Sequence, residues 1–192
     1  YPVEQLTRDC KIASIYEGTN GIQAMDLLGR KLGMKKGAVV MEFLGEIQKT
    51  IAEAKSIDEL ADMAAKVEAA VNRFGETAMH IGKTATSLEF KTAFANAYPF
   101  MEAMGDLIMA WMHLWRATIA VPKLKELAGG LDAAVIAEKA PKNKDVAFYE
   151  GLWKTAAYYI HSILPVTHGR MNAIFDSSDA VISMGEKSFG GI

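Results

Sequence analysis

One carboxylate in this chain stands where a general base would act. Glu17 lies in the run Ile15-Tyr16-Glu17-Gly18-Thr19-Asn20-Gly21-Ile22-Gln23, a glycine-containing break between two helical stretches. A glutamate works as a base when it is held within hydrogen-bond reach of the proton it removes, in a site poor enough in water to raise its pKa. An irregular segment flanked by helices can aim such a side chain into a cleft, and Gly18 beside it removes a Cβ where a ligand would pass. The tetrapeptide alone does not establish this, because a glutamate at a helix end is more often a solvated surface residue. Thr19 likewise suits the N-cap of the following helix, its hydroxyl accepting from backbone amides.

The elements around this break read as helices throughout, with no strand-length alternation between the glycines and prolines that punctuate the chain. Residues 2–15 form a first helix, with Pro2 suited to its first turn, and the break at residues 18–21 ends it. A second helix over residues 22–32 lines Ile22, Met25, Leu28 and Leu32 on one face, and Gly33 and Gly37 mark its exit. Val39, Val40, Phe43, Leu44, Ile47 and Ile51 predict a helix over residues 38–54. Ser56 and Asp58 start another, running to Thr84 through Gly75 and Gly82. Residues 88–121 read as one long helix kinked or divided at Tyr98-Pro99 and stopped by Pro122. A short helix over 131–140, a long one capped by Asp145 and kinked at Pro165, and a terminal turn over 178–186 complete the chain. Four long helices with short links predict an all-α fold, an up-and-down helical bundle.

Composition narrows the function classes. Among 192 residues, 21 basic against 23 acidic side chains supply no field that would attract nucleic acid or an anionic lipid surface. The most apolar window, residues 100–121, carries Glu102, Asp106, His113 and Arg116, which argues against a membrane span. Cys10 is the lone cysteine, so no internal disulfide or Cys-based zinc motif is available, and a reducing, cytoplasmic setting is the expectation. His80, His113, His161 and His168 show no ligand spacing, and no metal is assigned. Met101, Met104, Met109 and Met112 with Trp111 and Trp115 read as core before they read as an acyl tunnel. Arg30, Lys31, Lys35 and Lys36 read as a solvated helix end before they read as phosphate ligands. With Tyr1 and no basic or apolar leader at the start, the expectation is a natural protein that begins further upstream and has no secretory signal.

A longer match changes the weight of the tetrapeptide. Tyr1-Pro2-Val3-Glu4, then Arg8-Asp9, then Ile15-Tyr16-Glu17-Gly18-Thr19 and Ile22-Gln23 together resemble the carboxy-terminal segment of the flavin-dependent acyl-CoA dehydrogenases. The resemblance implies that Glu17 abstracts the α proton of an acyl-CoA thioester while the β hydrogen leaves as hydride to FAD. It implies that Thr19, Gly21 and Gln23 lie on the cofactor side and that Tyr16 and Gly18 line the acyl-thioester side. Gly21 departs from the family, which often carries a longer polar residue there, so any contact at this position must come from the backbone. Phe148-Tyr149 and Leu164-Pro165 resemble the aromatic helix and Leu-Pro of members with an additional helical domain, including those acting on fatty acyl-CoA and 3-methylmercaptopropionyl-CoA.

The implied division is residues 1–35 as the end of the catalytic helical domain and 36–192 as an accessory helical-bundle domain. The implied partners are an acyl-CoA substrate, an acceptor of the electron-transfer flavoprotein type and further copies of the same subunit. FAD is expected in the full-length protein and not in this chain alone, which is expected to be inactive. Two alternatives stay open: residues after 36 as an interaction or dimerisation module, and an acyl-CoA oxidase, which shares the base but passes electrons to oxygen.

Overall fold

Apolar residues spaced three and four apart recur along most of this chain, and each such run emerges as a helix that turns its stripe inward. The computed structural model describes residues 3–15, 19–176 and 178–190. Helix α1 spans Val3–Ile15 and α2 spans Thr19–Asp26, the latter continuing without a break into a π-helical turn, Leu27–Lys31. Of the expected loop at residues 18–21, Thr19 to Gly21 belong to the helix, and Gly18 lies outside the described residues. The anchor for this segment is Ala24, Leu27 and Leu28, which are buried in the main core.

The chain then reverses through Lys35, Lys36 and Gly37, all with left-handed backbone at φ 50°, 58° and 88°. Glycine takes such a conformation freely, but lysine does so at a cost of about 1–2 kcal/mol per residue. Helix α3, Ala38–Lys55, follows at once and matches the period of its apolar residues. After a 3-10 turn at Asp58–Leu60, α4 runs over Ala61–Ala85 and buries Met63, Ala64, Val67, Val71, Phe74 and Ile81 along one side.

The link between α4 and the central helix holds a short α5, Phe90–Ala95, and breaks at Asn96. Helix α6 then spans Ala97–Ala128. Pro99 sits in its first turn, where the missing N–H has no partner to lose, so the break falls upstream of Tyr98-Pro99. Pro122 does not stop α6, contrary to the sequence expectation. A proline inside a helix costs about 3 kcal/mol, and here its ring is on an exposed side while the helix beyond it buries Leu124 and Ala128. Those two residues form a satellite core with Ile136 and Val146, which rewards continuing the helix. The stop comes at Gly129, left-handed at φ 73°, with the Gly130 amide donating to the Lys125 carbonyl at 2.9 Å.

Helix α7, Ala133–Lys139, is capped by Asp132, and α8, Lys144–Tyr158, by Asn143, whose side chain accepts from the amides of Asp145 and Val146. The cap is thus Asn143 in place of the expected Asp145, which lies inside the first turn. At the expected kink near Pro165 the helix widens into a π turn, Tyr159–Ile163, before α9, Leu164–Phe175. The proline cannot donate to the carbonyl four residues back, and the wider turn absorbs that loss. A four-residue α10, Ala180–Ser183, and a 3-10 turn at Glu186–Phe189 follow.

No strand occurs among the described residues. The long helices α3, α4, α6 and α8 with α9 stack as an up-and-down bundle around α6, which packs against α2, α3, α4, α8 and α9. Phe74 and Phe100 stack at the α4–α6 seam with ring centroids 4.9 Å apart. Trp111 meets Phe43 edge-on and donates its indole N–H to the Thr50 hydroxyl at 2.8 Å, which satisfies a half-buried donor. Between α6 and α9, Asp106 accepts from Thr167 at 2.7 Å and from Arg170, which also reaches Glu102 at 3.5 Å.

Candidate functional site

The segment that carries the candidate chemistry is bracketed by α1 and α2. Tyr16, Glu17 and Gly18 lie outside the described residues, as does the side chain of Thr19. Helix α1 ends at Ile15 immediately before them and α2 begins at Thr19 immediately after. Gly21 and Gln23 are exposed on the early turns of α2, ahead of the anchor formed by Ala24, Leu27 and Leu28. A Cβ placed on Gly21 would meet nothing within 4 Å, so the backbone there is open to approach. One turn on, Asp26 takes Arg30 in a two-point pair at 2.6 and 2.8 Å and Lys31 at 3.5 Å. The Arg30 hydrogen bonds hold the Asp26 carboxyl below the usual carboxylate range. Arg30 and Lys31 thus spend charge on Asp26, whereas Lys35 and Lys36 form the left-handed reversal.

The other sequence candidates resolve as packing. Tyr149-Glu150-Gly151, which repeats three letters of the Glu17 run, sits inside α8. Met101, Met104 and Trp111 pack on the main core, while Met109 and Trp115 remain about half exposed on α6 at 47% and 48%. No group of three or more potential metal ligands occurs among the described residues, and no described helix is long and apolar enough to cross a membrane. His80 stacks on Phe175 at 4.5 Å, and His161 lies 3.7 Å from Asp62.

His113 is buried against the Tyr159 ring, 5.0 Å between centroids. Burial, and secondarily the charge of Arg116, push its pKa below the ordinary histidine value. An unfolded histidine takes up its proton near pH ~6.5, and the folded one does so only at lower pH. Between those points the unfolded state binds more protons, so acidification favours unfolding and stability climbs with pH. Asp26 and Glu59, held low by hydrogen bonds from Arg30 and Lys125, lose their contributions further down, through the carboxylate range. His113→Phe is therefore expected to flatten the dependence of urea stability on pH between about 7 and 5. An unchanged slope would assign that dependence to other groups.

One feature escaped the sequence reading. A groove of about 700 Å³ lies between the 28–37 crossing, α3, α4 and α5, with Leu32, Leu44, Ala78 and Phe94 among its walls. Its only advance signal is glycine spacing, Gly29, Gly33 and Gly37 on one side and Gly75 and Gly82 on the other.

The described residues form an all-α bundle preceded by α1 and α2, which end and begin on either side of Tyr16-Glu17-Gly18. The sequence model described as "Acetyl-CoA dehydrogenase C-terminal like" matches residues 43–185, and the chain belongs to that family. It is 30% identical over 190 residues to a butyryl-CoA dehydrogenase of Syntrophomonas wolfei, a match covering 98% of this chain and 28% of that protein. It is 28% identical over 203 residues to a broad-specificity linear acyl-CoA dehydrogenase of Mycobacterium tuberculosis, covering 98% of this chain and 30% of that one. A 3-methylmercaptopropionyl-CoA dehydrogenase of Ruegeria pomeroyi is 29% identical over 189 residues, covering 94% of this chain and 28% of that protein. The chain spans less than a third of the length of these relatives.

Proposed function

We propose that this chain is the carboxy-terminal part of a flavin-dependent acyl-CoA dehydrogenase and that Glu17 is the base that takes the α proton of the acyl thioester. The observation that carries the reading is the continuous run of residues 1–23 around Glu17, together with relatives named for acyl-CoA dehydrogenation that align along nearly the whole chain. In this reading residues 1–35 complete the catalytic helical domain, and residues 36–192 form the accessory one. The left-handed reversal at Lys35 to Gly37 supports a boundary there. Leu27 and Leu28 share a core with the later helices, so the division is one of role and not of packing.

The described residues fit a flavin dinucleotide on the α2 side. Gly21 offers open backbone and Gln23 an exposed amide side chain, at the helix end where first-turn amides lack intrahelical partners and negative charge is favoured. Thr19, the first residue of α2, joins them in the proposed cofactor contact. When bound, the flavin supplies the acceptor for the β hydrogen and its electron pair. Glu17 receives the α hydrogen as a proton, and the electrons of that C–H bond become the new carbon–carbon double bond. Tyr16 and Gly18 line the acyl-thioester side in this reading. An electron-transfer flavoprotein type of acceptor, a homo-oligomeric state and a cytoplasmic setting complete the proposal.

The test is anaerobic: add a panel of acyl-CoA thioesters to the full-length protein and follow flavin absorbance. Rapid bleaching by at least one thioester is the expected result, and no bleaching with any of them would sink the assignment. Peroxide formed on readmitting air would move it to the oxidases. A second reading, an interaction module after residue 36, is favoured by Met109, Trp115 and Ile119, all about half exposed on α6 at 47–48%. Trp115→Glu should then shift the sedimentation of the full-length protein toward smaller species. Unchanged sedimentation would remove that face from any interface.

A further inference from the structure

We infer that the groove between the 28–37 crossing, α3, α4 and α5 is a binding site for a single-chain amphiphile, an unbranched aliphatic tail with an anionic head. Its volume of about 700 Å³ falls within the roughly 300–1,000 Å³ of small-molecule sites. Along the α4 side lie Gly75 and Gly82, two turns apart, and a Cβ at either would meet nothing within 4 Å. Glycine inside a helix is destabilising relative to alanine, and neither of these glycines is explained by a neighbour packed close against it. The open space beside them is the groove itself, where a slender ligand would lie against the bare backbone.

Charge selects the head group. Among the described residues, Lys36 is the sole ionised residue lining the groove, no carboxylate lines it, and Lys36 makes no ion pair. The remaining hydroxyl, that of Thr86, is already donated to the carbonyls of Gly82 and Lys83 at 3.3 and 3.0 Å. One cation beside an otherwise apolar wall matches a ligand with one anionic end and nothing else to hydrogen-bond. An extended polypeptide would fit poorly, since its amides and carbonyls would meet almost no partners here. The inference goes beyond the proposed dehydrogenation, because binding in the groove requires neither Glu17 nor flavin.

Carboxylate and phosphate heads share the required chemistry, and calorimetric titration of the 192-residue chain with dodecanoate and with dodecyl phosphate, below their micelle concentrations, tells them apart. The expected result is one saturable site for at least one of them, with dodecyltrimethylammonium binding at least about tenfold more weakly, as befits loss of one charged contact. Lys36→Glu, on the surface, should weaken the anionic ligand by a similar factor, and Gly82→Leu, which fills the groove, should abolish binding while helical circular dichroism is unchanged. Equal affinity for anionic and cationic heads, or indifference to both substitutions, would overturn the proposal. So would absence of binding to the full-length protein at ligand concentrations that saturate the 192-residue chain, which would mean that polypeptide fills the groove.

Discussion

Glu17→Gln in the full-length protein is expected to slow flavin bleaching by an acyl-CoA by roughly 10²–10⁴-fold, the usual contribution of a positioned general base. Glutamine keeps the length and shape of the side chain and removes the basic oxygen. The flanking helices should not move, because α2 is anchored by Ala24, Leu27 and Leu28 at a distance from the substituted residue in sequence. Flavin content and the concentration of thioester needed for half-maximal rate should therefore stay close to wild type, placing the loss in the chemical step. Bleaching at the wild-type rate would move the base to another residue. A variant that also loses its flavin would indicate a structural role for this segment, and the rate would then say nothing about proton transfer.

What the sequence reveals about this fold depends on how locally each feature is determined. The stripe of α4, from Met63 through Phe74 to Ile81, repeats over about five turns, and no single residue could mislead about it. Gly129 ends α6 by its own conformational preference, a local event. Pro122 misleads because its local cost is outweighed by Leu124 and Ala128 meeting Ile136 and Val146, partners that lie beyond it in the chain. Lys35 and Lys36 carry no mark of left-handed backbone, since lysine shows no such preference, and only the crossing between α2 and α3 imposes it. The groove belongs to the same class, made by four separate segments and visible in advance only as unexplained glycines. Glu17 is different again. Neither period nor composition selects it, and only the resemblance of the whole run from Tyr1 to Gln23 separates it from any other glutamate at a helix end.

Phe100→Ala should be the most damaging of the core substitutions, lowering stability by about 3–5 kcal/mol. Phe100 is fully buried on the first turns of α6, stacked on Phe74 of α4 with an angle of 17° between the rings. Truncation forfeits the transfer energy of the ring, leaves a cavity and removes a stacking contact worth about 0.5–1.5 kcal/mol beyond the area it buries. Collapse to refill that cavity is hindered, because Phe74 against it is held on a long helix that also packs elsewhere. Urea unfolding should show a lower midpoint with an unchanged slope, as for a weakened but still cooperative bundle. Phe90→Ala is the matched control: Phe90 is 48% exposed at the start of α5, and removing its ring should cost far less. Equal losses at the two positions would mean that the α4–α6 seam is not the centre of the bundle. A changed slope in Phe100→Ala alone would mean that the helices before and after the seam unfold separately, which the shared core from Ala24 to Ile174 argues against.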